Sequence, residues 1–435
     1  MTNILTSRTS PKTTNIVSLV ALLIFLPLLL LAAYQTAVLV SRATGTPADI
    51  AVDAKALLEP IKTDFYHAFS QSGGEGANVL SSIATEVKNL RPRIIRLDHI
   101  YDAYNVVSGS GASISFDWSK LDPVVDTIRA AGARPMLVLS YMPPSIARDG
   151  NIINPPNNWD DWATVVRKTI EHYSGKSEKN LSGVLYECWN EPELAQFGGW
   201  KLSGDKNYVT LYKYCSTGAG GATNVNAFSL GGPATASLNK AWILSTLGAG
   251  RVNFFSWHTY QHNPKKFDED QRNLISWLLP YPNAVLIPKF ITEFGFTGDS
   301  SSLYASTYAS AHAAAVIRQL ISGGPAYLFS FQLRDTGSGS DNWGLMTAAG
   351  KPKPRYWVYN FIDTMAGTRL ALTGEGSWVT GFATTKDDVI RVLLVNFDAN
   401  GSHTENVPIA ITNLDDGNYT YRERFLFGRD VNFSE

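Results

Sequence analysis

Excess charge of either sign, cysteine and a glycine-rich phosphate loop are what this 435-residue chain has least of. Lysine and arginine number 37 against 38 acidic residues, a formal net charge of −1. That balance leaves no basic footprint for nucleic acid, which is not expected as a partner. Only 17% of residues are charged and 44% are hydrophobic, so disorder is excluded and a large core can form. Two cysteines, Cys188 and Cys215, exclude a disulfide framework and a cysteine-rich zinc site, and Cys188 reads as a buried apolar thiol. No Gly-x-Ser-x-Gly elbow offers a serine nucleophile. His258 and His262 stand four apart across a strand end and Pro264 instead of along a helix face. Neither a metal nor a cofactor is therefore expected.

One long hydrophobic run is present. From Thr13 to Ser41 no residue is charged, Arg8 and Lys12 precede the run, and the first acidic residue is Asp49. Roughly 20 apolar residues with positive charge on one flank suit a transmembrane helix. Ser41-Arg42-Ala43 also offers a small-x-small cleavage site, but a signal peptide's apolar region is usually shorter. Residues 1–43 are expected to form an uncleaved signal anchor that ties the protein to a membrane, with an extracytoplasmic body. If they are cleaved, the body is secreted. The sequence carries no reading of oligomeric state.

Past Ala43, β-rich runs alternate with amphipathic stretches. Thr63–Phe69, Arg93–Ile100, Arg134–Tyr141, Val184–Trp189, Phe228–Gly232, Val252–Trp257, Val285–Thr292 and Ala326–Phe331 read as strands. Helical patterns follow them: Trp159, Trp162, Val166 and Ile170 recur at three- and four-residue steps, as one buried face requires. Eight strand–helix units predict an α/β fold, a (β/α)8 TIM barrel over 44–366. After Gly367 the runs Trp378–Thr384, Val389–Phe397, Val407–Thr412 and Tyr419–Phe427 are separated by hairpin turn chemistry, with no helix between. They predict a small C-terminal β-sandwich over 367–435, joined by a strand from within 46–60.

Barrel enzymes carry their chemistry at the C-terminal ends of strands. The fourth strand ends in Asn190-Glu191-Pro192, and the seventh in Glu293-Phe294-Gly295. Two glutamates, each closing an apolar run, face one barrel mouth. Glycoside hydrolysis needs such a pair, one to protonate the leaving oxygen and one to attack the anomeric carbon. Trp189-Asn190-Glu191-Pro192 and Ile291-Thr292-Glu293-Phe294-Gly295 resemble the acid/base and nucleophile motifs of clan A retaining glycoside hydrolases. Phe116–Asp122, Pro135–Pro143 and Phe255–Tyr260 extend the resemblance, in order, to family 39, the β-xylosidase and α-L-iduronidase family.

By that resemblance Glu191 is the general acid/base and Glu293 the nucleophile. Arg96 is the cation beside the nucleophile, Tyr260 its hydrogen-bond donor and Asn190 the contact to a sugar 2-hydroxyl. The chemistry asks for a protonated Glu191, in a partly apolar setting beside Trp189, and an ionised Glu293. His258 is expected to orient Glu191 or a sugar hydroxyl, or to be a packed core histidine. Asp98 stands where the family's β-xylosidases have histidine, as a sugar contact or a partner of Arg96. Phe331 takes the place of the family's strand-eight tryptophan, and Trp343 in the following loop is a second candidate ring. Tyr141 and Trp200 are expected to stack on sugar. The expected substrate is a β-linked poly- or oligosaccharide, xylan-type or an exopolysaccharide. The rival reading is a carbohydrate-binding barrel without turnover, anchored at the cell surface.

Overall fold

Short apolar runs that cannot cover themselves close on one another here as a barrel. The structure, a computed structural model, describes Leu26 and residues 45–324, 326–337 and 342–426. The expected anchor or signal segment lies outside the described residues, apart from Leu26. Among the described residues no helix is long and apolar enough to cross a membrane.

In chain order the strands are β1 (Ile50–Pro60), β2 (Ala68–Gln71), β3 (Ile94–Leu97), the short pair β4 (Val107–Ser108) and β5 (Ser115–Phe116), β6 (Arg134–Leu139), β7 (Val184–Cys188) and β8 (Phe228–Thr235). They continue with β9 (Phe254–Tyr260), β10 (Lys289–Gly295), β11 (Tyr327–Phe331), β12 (Thr368–Thr373), β13 (Val379–Lys386), β14 (Val389–Asn396) and β15 (Ile409–Thr412). β2, β3 and β6 to β11 pair in parallel and close into an eight-stranded barrel, in the order the sequence predicts. A helix follows each of these strands, from Ala84–Asn89 after β2 to Pro354–Thr364 after β11. Asn158, Asn207, Asn239 and Ser306 start four of them by accepting a first-turn N–H. Each such cap is worth about 1 kcal/mol.

Two predicted strands begin elsewhere. Thr63–Tyr66 is a 3-10 turn, and the strand starts at Ala68. Pro282–Val285 is a helical turn, its proline already at a helical φ, and the strand starts at Lys289.

Inside the barrel, Ala68, Ile94, Met136, Leu185, Phe254, Phe290 and Phe329 form an apolar floor. Side chains alternate along a strand, so the next inward positions are Ser70, Arg96, Val138, Glu187, Ser256 and Phe331. The lining therefore changes from apolar to mostly polar one step below the C-terminal mouth.

The terminal region departs from the expected sandwich. Its described strands form one five-stranded sheet, ordered β14-β13-β12-β1-β15, in which β1 runs antiparallel to β12 and parallel to β15. The strand expected within 46–60 is this β1. Phe382, Leu393 and Val395 join the main core, and Phe397 packs on Tyr308 and His312 of the helix Thr307–Gly323. Of the expected strand Tyr419–Phe427, residues 419–426 are irregular, and 427 lies outside the described residues. Tyr419 and Tyr421 are exposed, and among the described residues their alternation meets no neighbouring strand.

The free thiol expected at Cys188 is also corrected. Cys188, the last residue of β7, is disulfide-bonded to Cys215 on the helix Tyr208–Gly221. The two are 27 residues apart in sequence, and neither spacing nor number betrays a single buried pair. The bond ties the strand that leads into Glu191 to its covering helix. Replacing both residues, as Cys188→Ala with Cys215→Ala, is expected to lower stability by about 2–4 kcal/mol. Denaturant unfolding with and without reductant checks this, since reduced wild type and double variant should coincide.

Candidate active site

Two local backbone features aim the polar side chains. Between β9 and β10 the register slips: Ile291 faces Trp257, yet Glu293 faces His258, so two steps on β10 match one on β9. Phe290 lies in the barrel floor, so strict alternation would turn Glu293 outward. The irregularity reverses that and turns Glu293 inward on the same face as His258. After β7 the chain turns sharply, with Trp189 at φ +75° and Glu191 at +42°. A left-handed backbone at a bulky residue costs on the order of 1–3 kcal/mol. Here it moves Trp189 out among Tyr141, Trp162 and Trp200 and sends Asn190 and Glu191 into the mouth. The Glu191 amide, donating to the Ala234 carbonyl at 2.9 Å, fixes the turn.

The resulting network is closed and buried. Arg96 donates from Nη1 to Glu293 Oε1 (2.9 Å), from Nη2 to Asn190 Oδ1 (2.6 Å) and from Nε to Glu187 Oε2 (2.6 Å). Tyr260 donates its hydroxyl proton to Glu293 Oε2 (2.7 Å), so both oxygens of Glu293 are engaged. His258 Nδ1 lies 2.8 Å from Glu191 Oε1 and 3.7 Å from Glu293 Oε2. Asn190 Nδ2 donates to the Tyr141 hydroxyl at 3.1 Å.

Burial and charge pull against each other here. Burial pushes the Glu293 carboxyl above its ordinary value, while His258, Arg96 and the Tyr260 hydroxyl oppose the rise and Glu191 adds to it. Burial pulls His258 down, but the charge on Glu293 and the hydrogen bond to Glu191 outweigh it and hold the imidazole above its usual range. Arg96 is held firmly charged, because Glu187 and Glu293 outweigh its desolvation. Tyr260 is raised well above the usual phenol range, mainly by burial and then by the charge on Glu293.

Most of the predicted residues meet. Arg96, Asn190, Glu191, His258, Tyr260 and Glu293 are joined in one network, with Tyr141 at its edge. Tyr141 and Trp200 are buried, not open sugar platforms: Tyr141 packs against Trp189, Phe197 and His99, and Trp200 lies behind Trp189. The aromatic surplus had to fill the shell outside the barrel. Asp98 is buried at the mouth and accepts the Gly73 N–H at 2.8 Å, whereas the ion partners of Arg96 are Glu187 and Glu293. Phe331 and Trp343 meet edge to face at 6.0 Å, and Trp343 also packs on the Phe296–Tyr304 cluster. Trp189 is buried and packs on Tyr141, Trp162 and Trp200. The sequence reading missed Glu187, whose signal was a lone charge inside the apolar run Val184–Cys188, and the pair formed by His99 and Asp102.

Among the described residues, Glu191, His258 and Glu293 form a cluster close enough to hold a metal ion, with donor atoms within 4.8 Å of one another. Those donors already hydrogen-bond one another, Arg96 and Tyr260. The same figure brings an oxygen of Glu191 within 4.8 Å of one of Glu293.

A closed parallel barrel with two such carboxylates across its mouth is the framework of a barrel glycoside hydrolase. The sequence model for "Glycosyl hydrolases family 39" matches residues 82–414, and the chain belongs to that family. A beta-xylosidase from Caldicellulosiruptor saccharolyticus is 24% identical over 354 residues, which are 72% of this chain and 70% of that protein. One from Geobacillus stearothermophilus is 26% identical over 60% of this chain and 58% of its own length. Among solved structures, a monomeric beta-xylosidase from Caulobacter crescentus superposes with a TM-score of 0.68 at 20% identity, covering 85% of this chain and 84% of that one. At that identity the likeness speaks for the fold.

His99 gives the mouth a pH-sensitive flank. Its Nδ1 lies 2.8 Å from Asp102 Oδ2, and Asp102 Oδ1 accepts the Tyr141 N–H. Burial opposes its charge, but Asp98 and Asp102 outweigh that and push the imidazole up to about 9 from 6.5. A value raised on folding stabilises fully below 6.5, and that contribution is lost as pH rises through about 9. Wild-type stability is therefore expected to decline across this window, and His99→Gln to decline less, in thermal melts at a series of pH values.

Proposed function

We propose that this protein is a retaining glycosidase that cleaves β-linked O-glycosidic bonds of a poly- or oligosaccharide, xylan-type or an exopolysaccharide, by double displacement. The observation that carries the reading is the approach of Glu191 and Glu293 oxygens to within 4.8 Å across the barrel mouth. Retaining enzymes hold their carboxyl groups roughly 5–5.5 Å apart, and inverting ones roughly 6.5–9.5 Å, to admit a water. The beta-xylosidase names of its relatives support the β-linked class.

In the first step Glu191 gives a proton to the glycosidic oxygen while a Glu293 oxygen bonds to the anomeric carbon. The carbon–oxygen bond to the leaving group breaks, and a glycosyl ester on Glu293 remains. In the second step Glu191 takes a proton from water, the water oxygen bonds to the anomeric carbon, and the Glu293 carboxylate leaves. Arg96 and Tyr260 stabilise the charge that Glu293 loses and regains. Asn190, its amide oriented by Arg96 and Tyr141, keeps an N–H for the sugar 2-hydroxyl. His258 holds Glu191 in place at Oε1. Asp98 takes a sugar hydroxyl, and Phe331 with Trp343 lines the glycone side.

The body is read as exported, on a membrane anchor supplied by residues 1–43 or free after cleavage. The Cys188–Cys215 disulfide supports this, since such bonds persist in oxidising compartments. Full-length protein is expected in the membrane fraction and a form lacking residues 1–43 in the soluble one; soluble full-length protein without cleavage would overturn the anchor.

Hydrolysis of an aryl β-glycoside panel tests the chemistry. Glu191→Gln and Glu293→Gln are each expected to lower the rate on the order of 10²–10⁴-fold, and NMR of the first-formed sugar to show retained anomeric configuration. Equal rates for wild type and Glu293→Gln would refute the catalytic assignment, no turnover by wild type would leave a binding barrel, and an inverted product would refute the double displacement.

A further inference from the structure

Glu187 is a carboxylate that the two-step chemistry above does not use. It sits in the middle of β7, fully buried, one inward step above Leu185 in the apolar floor. An ionised group in such a place costs several kcal/mol unless it is paired. Its pairing is specific: Oε2 accepts the Nε proton of Arg96 at 2.6 Å, and among the described residues Oε1 has no hydrogen-bond partner. Arg96 thus divides its donors among three acceptors, with Nη1 on Glu293 and Nη2 on Asn190.

Charge balance on Arg96 does not require Glu187, because Glu293 already supplies a counter-charge. Two effects distinguish the arrangement with Glu187 from one without it. A guanidinium is planar, so fixing Nε fixes the directions of both terminal nitrogens. One bond at Glu187 therefore sets where Nη1 meets Glu293 and Nη2 meets Asn190. A second carboxylate also shares the positive charge. Arg96 then holds Glu293 ionised less completely than an undivided cation would, and Glu293 keeps the electron density that attack on carbon needs.

We propose that Glu187 is a positioning residue for the glycosylation step, orienting Arg96 and dividing its charge so that Glu293 stays both ionised and nucleophilic. This rests on the reading of Glu293 as the nucleophile. The groups facing Glu293 are Arg96 from β3, His258 and Tyr260 from β9, and Glu191 from the loop after β7; Asp98 is a further charge acting on Arg96. Of these groups only Arg96 is bonded to Glu187, so an effect of replacing Glu187 on Glu293 is transmitted through Arg96.

The experiment is the pH dependence of kcat/KM for an aryl β-glycoside in Glu187→Gln, Glu187→Asp and Glu293→Gln, each first checked for a folded circular-dichroism spectrum. Glutamine retains an acceptor for Nε and removes the charge. Glu187→Gln is expected to lower kcat about 10- to 100-fold with little change in KM, and to move the acid limb down by roughly half to one pH unit. Glu187→Asp keeps the charge and shortens the reach, so its kcat should fall while its acid limb stays at the wild-type position. If Glu187→Gln does not fold, the aspartate variant still decides: an acid limb displaced as the charge-loss argument requires for glutamine overturns the proposal. A Glu187→Gln profile of reduced height but unmoved limb, or unchanged kcat, also overturns it. Wild-type turnover in Glu293→Gln would instead defeat the nucleophile assignment, whatever Glu187 does.

Discussion

One buried guanidinium organises the mouth of this barrel. Arg96 stands where the lining has just turned from apolar to polar, almost without exposure, and its three nitrogens reach acceptors on three different segments. A cation in that position is tolerable because it is paired and hydrogen-bonded, here to two carboxylates and an amide oxygen. Two of the three acceptors are fixed in turn, Glu293 by Tyr260 and Asn190 by Tyr141. Removing any one member would leave another buried and unpaired, so the polar layer stands as a unit.

The scaffold places that unit by breaking its own regularity. A barrel strand alternates inward and outward, which would send Glu293 into the helical shell, and the slip in register opposite His258 reverses it. A left-handed turn at Trp189 does the corresponding service for Glu191, with the Cys188–Cys215 disulfide immediately before it. Strain and a covalent tie meet at one strand end, next to Glu191 at the barrel mouth.

Several features were legible in residue order. The eight strand–helix units follow from hydrophobic period, because a parallel strand covered on both faces must be apolar and its helix amphipathic. The two glutamates were legible because each closes such a run. Glu187 was hidden for the complementary reason: inside an apolar strand nothing marks whether a lone charge has a partner. The two-sheet sandwich was over-read, since alternation at Tyr419 and Tyr421 describes a strand only where another edge pairs with it. Tyr141 and Trp200 looked like sugar platforms in loops, and burial made them packing.

By itself the sequence determined that this chain would be a barrel with paired carboxylates at its mouth, because periodicity and strand-end position are local properties of the chain. Tertiary structure alone decided which way Glu293 faces, that Cys188 meets Cys215, and that Arg96 is shared between Glu187 and Glu293. Those outcomes depend on register between strands and on contacts across the barrel, between residues as far apart in sequence as Arg96 and Glu293. No local pattern encodes them, since they exist only once the sheet has closed on itself.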